Sequence, residues 1–144
     1  MATYPKSLRN LIECFKKLPS IGEKSAERMA LSVMDMKEDQ INLFSQSLID
    51  VKKKIKRCKI CNNFTEEDIC EICSDSGRTD EIICVVESPK DVFALEKLKE
   101  YHGLYHVLHG TMSIMDGKTI DDLNIQTLFE RLDDRIQEVI IATN

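Results

Sequence analysis

The sequence predicts an α+β protein of several parts: an N-terminal helical hairpin, a four-cysteine zinc knuckle and an α/β lobe with a parallel sheet. Three observations support this fold class. Helical periodicity fills the front of the 144-residue chain, two Cys-x-x-Cys pairs follow, and short β-branched runs then alternate with helical segments. The predicted domain boundaries are 1–57, 58–79 and 80–144.

Three amphipathic helices are expected before the cysteines. The first ends near Pro19, and the second begins after Gly22, near Ser25. The third runs from about 38 to 56. Its apolar positions share one helical face and are expected to be core: Ile41, Phe44, Leu48, Val51 and Ile55.

Five basic residues close the third helix: Lys52, Lys53, Lys54, Lys56 and Arg57. Cations at this position complement the negative end of the helix dipole, so a well-terminated, solvated helix explains them. Contact with DNA phosphates explains them equally well. The pattern alone leaves both interpretations open.

The net charge of −5 conceals a gradient along the chain. Residues 1–57 carry 12 Lys+Arg and 7 Asp+Glu, a net +5, whereas residues 80–144 carry 6 and 13, a net −7. A nucleic-acid surface is therefore expected at the front only. No apolar run approaches the ~18 residues of a membrane span, and the N-terminus lacks a signal-peptide core, so we expect a cytoplasmic protein.

Two tight cysteine pairs, separated by eight residues, form the predicted knuckle: Cys58, Cys61, Cys70 and Cys73. This spacing lets four thiolates surround one ion, and all-sulfur tetrahedral coordination favours one structural Zn²⁺ per chain. A redox dithiol pair and an iron–sulfur cluster are the alternatives. Cys14 and Cys84 lie in apolar stretches and are expected to be small buried hydrophobes.

The turn between the first two helices predicts a phosphate site. It contains proline and glycine and opens a helix whose first amides are free, which suits an anion. Lys24 and Arg28 are four residues apart and share one face of that helix. The expected DNA contacts are Ile21, Gly22, Lys24 and Arg28, and they would be independent of base sequence. An ordinary helical corner with exposed charges is the alternative.

The remainder of the chain predicts a strand–helix alternation. A buried parallel strand is expected at 82–86, and a second and a third strand of the same parallel sheet are expected at 104–108 and 139–142. Helices are expected at about 89–99 and 125–132. Three histidines, His102, His106 and His109, are expected to be structural rather than metal ligands.

The motifs and their order resemble the RecR family of bacterial recombination mediators. The likeness covers essentially the whole chain, in the segments 18–28, 58–73, 83–91, 105–110, 112–117 and 138–144. The resemblance implies a helix-hairpin-helix domain, a zinc finger and a Toprim-like lobe. That lobe is partial, because members of the family continue past the position of Asn144.

The resemblance also implies a function: a non-catalytic, DNA-binding mediator of recombinational repair. Such a protein acts with RecO and RecF to load RecA at single-stranded gaps. It binds single- and double-stranded DNA, is nucleoid-associated, and forms a homo-oligomer if its C-terminal part is present. A Toprim-type nuclease or primase-like enzyme and a protein-only adaptor are the rival classes.

One departure from the family pattern, and one difference from catalytic Toprim enzymes, bear on these expectations. Ser20 replaces the first glycine of the turn, and a positive φ there would strain it. Glu87 ends the first strand of the lobe, but Asn144 stands where Toprim enzymes carry the first aspartate of an Asp-x-Asp pair. Asp116 is the other acid available to an enzyme. Glu87 and Asp91 are therefore candidate partner contacts, and no catalytic residue is expected.

Overall fold

The computed structural model describes residues 4–111, 119, 121 and 123–143, and the chain divides into two compact units after Lys52. The helices are α1 (Lys6–Lys16), α2 (Glu23–Met34), α3 (Glu38–Lys54), α4 (Glu71–Ser74), α5 (Pro89–Glu96) and α6 (Ile125–Phe129). The strands are β1 (Lys56–Arg57), β2 (Phe64–Thr65), β3 (Ile82–Val86), β4 (Leu104–Val107) and β5 (Glu138–Ala142). The predicted α+β class is confirmed.

The first unit is built on the pairing of α1 with α2. Three small or branched side chains, Ile12, Ala26 and Ala30, are buried between these helices. Cys14 is exposed, which corrects the expectation that it is a buried hydrophobe. It follows Ile12 by two residues, and such a step is about 200° around a helix, so it lies away from the face that packs on α2.

The expected core stripe of α3 is not buried. No residue of this helix is buried among the described chain, and Leu48 and Val51 are 62% and 65% exposed. The prediction was wrong because periodicity shows which side chains share a face, whereas burial requires a second surface. The apolar residues do follow a helix, so the local structure was predicted correctly.

The second unit contains a three-stranded parallel sheet in the order β4-β3-β5. The central strand β3 pairs Ile83 with Leu104 on one side and with Val139 on the other. Alternate residues of β3 face opposite layers, as the strand period requires. One layer contains Cys84, Val86 and α5, and the other contains Ile83, Val85 and α6, so helices cover both faces.

This arrangement confirms the predicted parallel strands and the helix after each of the first two. The helices end earlier than expected, at Glu96 and Phe129 rather than near 99 and 132. Cys84 is buried as predicted. Within the described chain, no helix is both long and apolar enough to cross a bilayer.

Candidate functional site

The four paired cysteines come together in one cluster. The ligand atoms of Cys58, Cys61, Cys70 and Cys73 all lie within 4.8 Å of one another, and three of these side chains are buried. Zn–S bonds of about 2.3 Å in a tetrahedron require sulfur atoms about 3.8 Å apart. The Sγ atoms of Cys61 and Cys70 are 3.5 Å apart, so the donor set fits a zinc ion.

Backbone amides support the cluster. The amide of Cys70 donates to Sγ of Cys58 (3.3 Å), and the amide of Asn63 donates to Sγ of Cys61 (3.5 Å). The amide of Cys58 in turn donates to the Asn63 carbonyl (2.7 Å), which closes the first Cys-x-x-Cys turn. Amide donors to sulfur stabilise thiolates and orient them toward a metal.

The sulfur atoms also interact strongly with one another. Hydrogen bonding to Cys61 and Cys73 lowers the pKa of Cys70, whereas hydrogen bonding to Cys61 and Cys70, together with burial, raises the pKa of Cys73. Crowded, buried thiols retain and share protons when no cation balances their negative charge. A Zn²⁺ ion replaces those protons and lets all the sulfurs ionise.

The knuckle is joined to the sheet by hydrogen bonds. The Val107 amide at the end of β4 donates to the Cys61 carbonyl (2.8 Å), and Nε2 of His109 donates to the Asn62 carbonyl (2.6 Å). The ring of Phe64 lies 5.7 Å from that of His109. Sequence patterns did not predict these contacts, because the paired residues are more than 40 positions apart.

The turn before α2 has the backbone that the phosphate-site prediction requires. Ser20 has a φ of 65°, so the strain anticipated for a serine at the family's glycine position is present. Gly22 is the N-cap of α2 in an extended conformation, and no side chain caps the helix. The first amides of α2 are therefore available to an external acceptor. Ile21 is half-buried against the α1–α2 core and anchors the turn.

Lys24 and Arg28 are both exposed and stand one turn apart on α2. Neither has an ion-pair partner among the residues that the structure describes. Glu23, the acid in the first turn, is held by Lys16 at 2.6 Å. This ion pair offsets the one negative charge that would otherwise oppose an anion at the helix terminus.

Glu87 and Asp91 line a cavity of about 350 Å³ at the carboxyl end of β3, where ligands bind in open parallel sheets. Asp91 is already committed, because Oδ2 accepts hydrogen bonds from the amide (2.9 Å) and hydroxyl (2.8 Å) of Ser88. This is the capping box of α5, which the Ser-x-x-Asp spacing signals and which our sequence interpretation missed. Glu87 also has an interaction partner.

Comparison with known proteins bears on all three parts of the chain. The RecR helix-hairpin-helix model matches residues 8–52, the RecR four-cysteine zinc finger model matches residues 55–75, and the Toprim domain model matches residues 81–144. Recombination protein RecR of Enterococcus faecalis is 54% identical over 142 residues, which cover 98% of this chain and 72% of that protein. The Staphylococcus haemolyticus protein of that name is 50% identical with the same coverage. Its Clostridium perfringens counterpart is 48% identical over 100% of this chain and 73% of its own length.

The chain belongs to the RecR family. It therefore has a role in recombination and repair, and its cysteine cluster holds one structural zinc ion. The helix-hairpin-helix and Toprim regions that the sequence suggested are confirmed. Because the cluster supplies four protein sulfurs, it leaves no open coordination position for water, and the metal is structural in the RecR fold.

Two of the three histidines are held by hydrogen bonds within the RecR fold. His106 is fully buried, its Nε2 donates to the Asn124 carbonyl (2.7 Å), and its Nδ1 accepts from Arg131 (3.0 Å). His109 contacts the knuckle as described above, and His102 is exposed. The hydrogen bonds of His106 and His109 are compatible with the structural role predicted for them.

The remaining acid and amide of the Toprim comparison, Asp116 and Asn144, lie outside the described residues. The expectation that Asn144 weakens a metal site therefore rests on its chemistry alone.

Proposed function

We propose that this chain is a non-catalytic, DNA-binding mediator of recombinational repair that contacts phosphates through the N-terminal turn of α2. In this proposal it acts at the nucleoid, in the cytoplasm, with RecO and RecF to promote RecA loading at single-stranded gaps. The observation that carries the proposal is the pair of unpaired cations, Lys24 and Arg28, beside the uncapped start of α2.

The site combines three features that suit a phosphate. The free amides of α2 donate hydrogen bonds, and the helix dipole adds positive potential. A shallow cavity of about 360 Å³ lies beside Arg28 and includes the hydroxyl-bearing Ser25 and Ser32. Cations one helical turn apart can contact neighbouring phosphates of one strand.

These groups recognise the sugar–phosphate backbone and not the base edges. Binding should therefore be independent of sequence and should accept both single- and double-stranded DNA. The charge gradient favours contact with DNA at residues 1–57, which are basic, over residues 80–144, which are acidic and repel phosphate.

Fluorescence anisotropy with labelled oligonucleotides, titrated with salt, tests the contact. Lys24→Ala and Arg28→Ala should each weaken binding and reduce the salt slope by about one, because each removes one neutralised phosphate. Lys97→Ala, which removes an exposed lysine of the other unit, is the matched control and should bind as the parent does.

If both alanine variants bind like the parent at matched salt, the hairpin is not the contact surface. If the parent binds no DNA even at low salt, while RecO or RecF still binds, the protein-only adaptor interpretation replaces ours.

The remaining assignments are part of the proposal. Four cysteine thiolates ligate the zinc, the functional division falls at 57/58 and 79/80, and a protein partner contacts the Glu87–Asp91 end of the sheet. A homo-oligomer, in a protein that carries the C-terminal part, is also proposed and rests on the family resemblance.

The absence of catalysis is argued from charge. A partly dehydrated Mg²⁺ ion requires converging carboxylates. In the cavity at the end of β3, the described lining offers Glu87 and Asp91, and the Asp91 carboxylate is engaged by Ser88. Among described residues, the cysteine cluster is the one group of three or more potential metal ligands.

Incubation with supercoiled plasmid and Mg²⁺ or Mn²⁺ should therefore leave the plasmid intact. The discriminating variant is Glu87→Gln, which keeps the shape of the side chain and removes its charge. Nicking by the parent that disappears in this variant would establish the Toprim enzyme alternative. Nicking that survives it would point to a contaminating nuclease.

A further inference from the structure

A second cleft lies within the 53–144 unit, beside the zinc cluster, whose ligand Cys70 is part of its lining. It shares no lining residue with the cavity at the end of β3. Its volume is about 730 Å³. Residues of β2, α4 and α5 form its walls, together with the segment between β2 and α4. The RecR assignments discussed above give it no role.

The cleft is acidic. Four of its lining residues are glutamates, Glu66, Glu67, Glu71 and Glu96, and the described lining includes no lysine or arginine. Glu96 is neutralised by Arg78 at the inner end. By contrast, the exposed carboxylates of Glu66 and Glu71 have no hydrogen-bond or ion-pair partner among the described residues. The charge of the rim is therefore available to a ligand.

The cleft also offers apolar surface and a buried acceptor. Phe64, Ile69 and Phe93 line it and are 46%, 42% and 49% exposed, so their apolar surface is open to a ligand. Asn63 lines it as well, is 2% exposed, and its Oδ1 atom has no hydrogen-bond partner. A buried amide oxygen without a hydrogen-bond donor is costly, so a ligand that supplies an N–H group there binds more favourably.

We propose that this cleft binds an arginine-bearing apolar segment of a protein partner. Arginine donates hydrogen bonds and accepts none, it pairs with carboxylates in a planar fork, and it stacks on aromatic faces. The lining presents all three complements: an acceptor at Asn63, carboxylates at Glu66 and Glu71, and the rings of Phe64 and Phe93. DNA is disfavoured because its phosphates would face unpaired carboxylates. This proposal does not depend on DNA binding by α2.

The test uses the zinc-loaded chain and a short fluorescein-labelled peptide in which arginine and leucine alternate. The control peptide carries citrulline at each arginine position, which keeps the shape and removes the charge. The arginine peptide should bind saturably and with one site per chain. The citrulline peptide should bind at least tenfold more weakly, as expected when several charge-assisted hydrogen bonds are lost.

Protein variants locate the site. The double change Glu66→Gln, Glu71→Gln should weaken peptide binding roughly three- to tenfold, because exposed ion pairs contribute modestly. Phe93→Ala should weaken it about tenfold if this ring anchors the peptide. Glu130→Gln, which neutralises an exposed acid outside the cleft, is the matched control and should leave affinity unchanged. Zinc content and DNA affinity should be the same in all variants.

Three results would overturn the proposal. The first is no binding of the arginine peptide by the parent. The second is equal binding of both peptides, or of the parent and the Glu66→Gln, Glu71→Gln variant. The third is self-association of the parent that the double variant abolishes, because a second copy of the chain would then be the occupant.

Discussion

The two compact units of this chain are stabilised in different ways. The helices α1 and α2 share one small cluster of Ile12, Ala26 and Ala30, close together in sequence. The second unit buries residues on both faces of a parallel sheet and around a cysteine cluster, and its hydrogen bonds join residues more than 40 positions apart. Stability in the first unit is therefore largely local, whereas the second depends on long-range pairing and on a metal.

Removal of zinc should produce the largest difference between the units. Metal binding to such sites releases about 10–16 kcal/mol, so the knuckle should unfold when a chelator removes the ion. Because the Val107 amide donates to the Cys61 carbonyl, the end of β4 should lose protection with it. Hydrogen exchange should rise at residues 56–75 and at Val107 and remain unchanged in α1 and α2.

Two variants sharpen that result. Cys58→Ser should reduce zinc content and reproduce the exchange pattern of the chelated protein. Cys14→Ser removes an exposed cysteine outside the cluster and should retain one zinc per chain. Elemental analysis without zinc in the metal-replete parent, or a loss of protection confined to α1 and α2, would contradict the dependence inferred here.

The elements that the sequence predicted well are those with strong local patterns. The cysteine spacing predicted the cluster, and β-branched runs predicted the three parallel strands, because each pattern specifies its own geometry. Ser20 was also anticipated, since a serine at a glycine position identifies the strained residue directly.

The failures concern what packs against a predicted element. The α3 stripe has helical spacing but is exposed, and Cys14 lies in an apolar stretch but on the outer face of α1. The sequence could not predict the knuckle–sheet hydrogen bonds or the unpaired Asn63 oxygen either, since both depend on how segments distant in sequence pack together. Asp91 differs, because its Ser-x-x-Asp motif was visible and simply received another interpretation.

Acidification should distinguish the units by a smaller amount. Burial lowers the pKa of His106, and Arg131, which donates to Nδ1, opposes a second ring proton. The pKa of His106 in the folded protein thus lies below its unfolded value of about 6.5. Neutral His106 therefore contributes its full stabilisation above about pH 6.5, and that contribution is lost as the pH falls from there through the folded pKa. The second unit should lose at most about 1.4 kcal/mol per pH unit from His106.

Thermal unfolding between pH 7 and pH 5, followed separately for the two units, measures this effect. His106→Gln should flatten the pH dependence in the second unit, and part of the slope should remain because burial also lowers the pKa of His109. His102→Gln changes an exposed histidine and should leave the slope as it is. An unchanged slope in His106→Gln would show that His106 does not control the acid response.

The smallest expected effect lies in the first unit and strengthens it. Ser20 has a φ of 65°, a conformation that costs a residue with a Cβ about 1–2 kcal/mol and that glycine adopts freely. Ser20→Gly removes that strain but gives the unfolded chain about 0.4–1 kcal/mol more entropy. The net gain should therefore lie between about 0 and 1.6 kcal/mol.

Ser47→Gly in α3 is the matched control and should lower stability by about 0.5 kcal/mol, because it introduces glycine into a helical backbone that does not need it. Equal losses in both variants would mean that the turn before α2 stores no strain at Ser20.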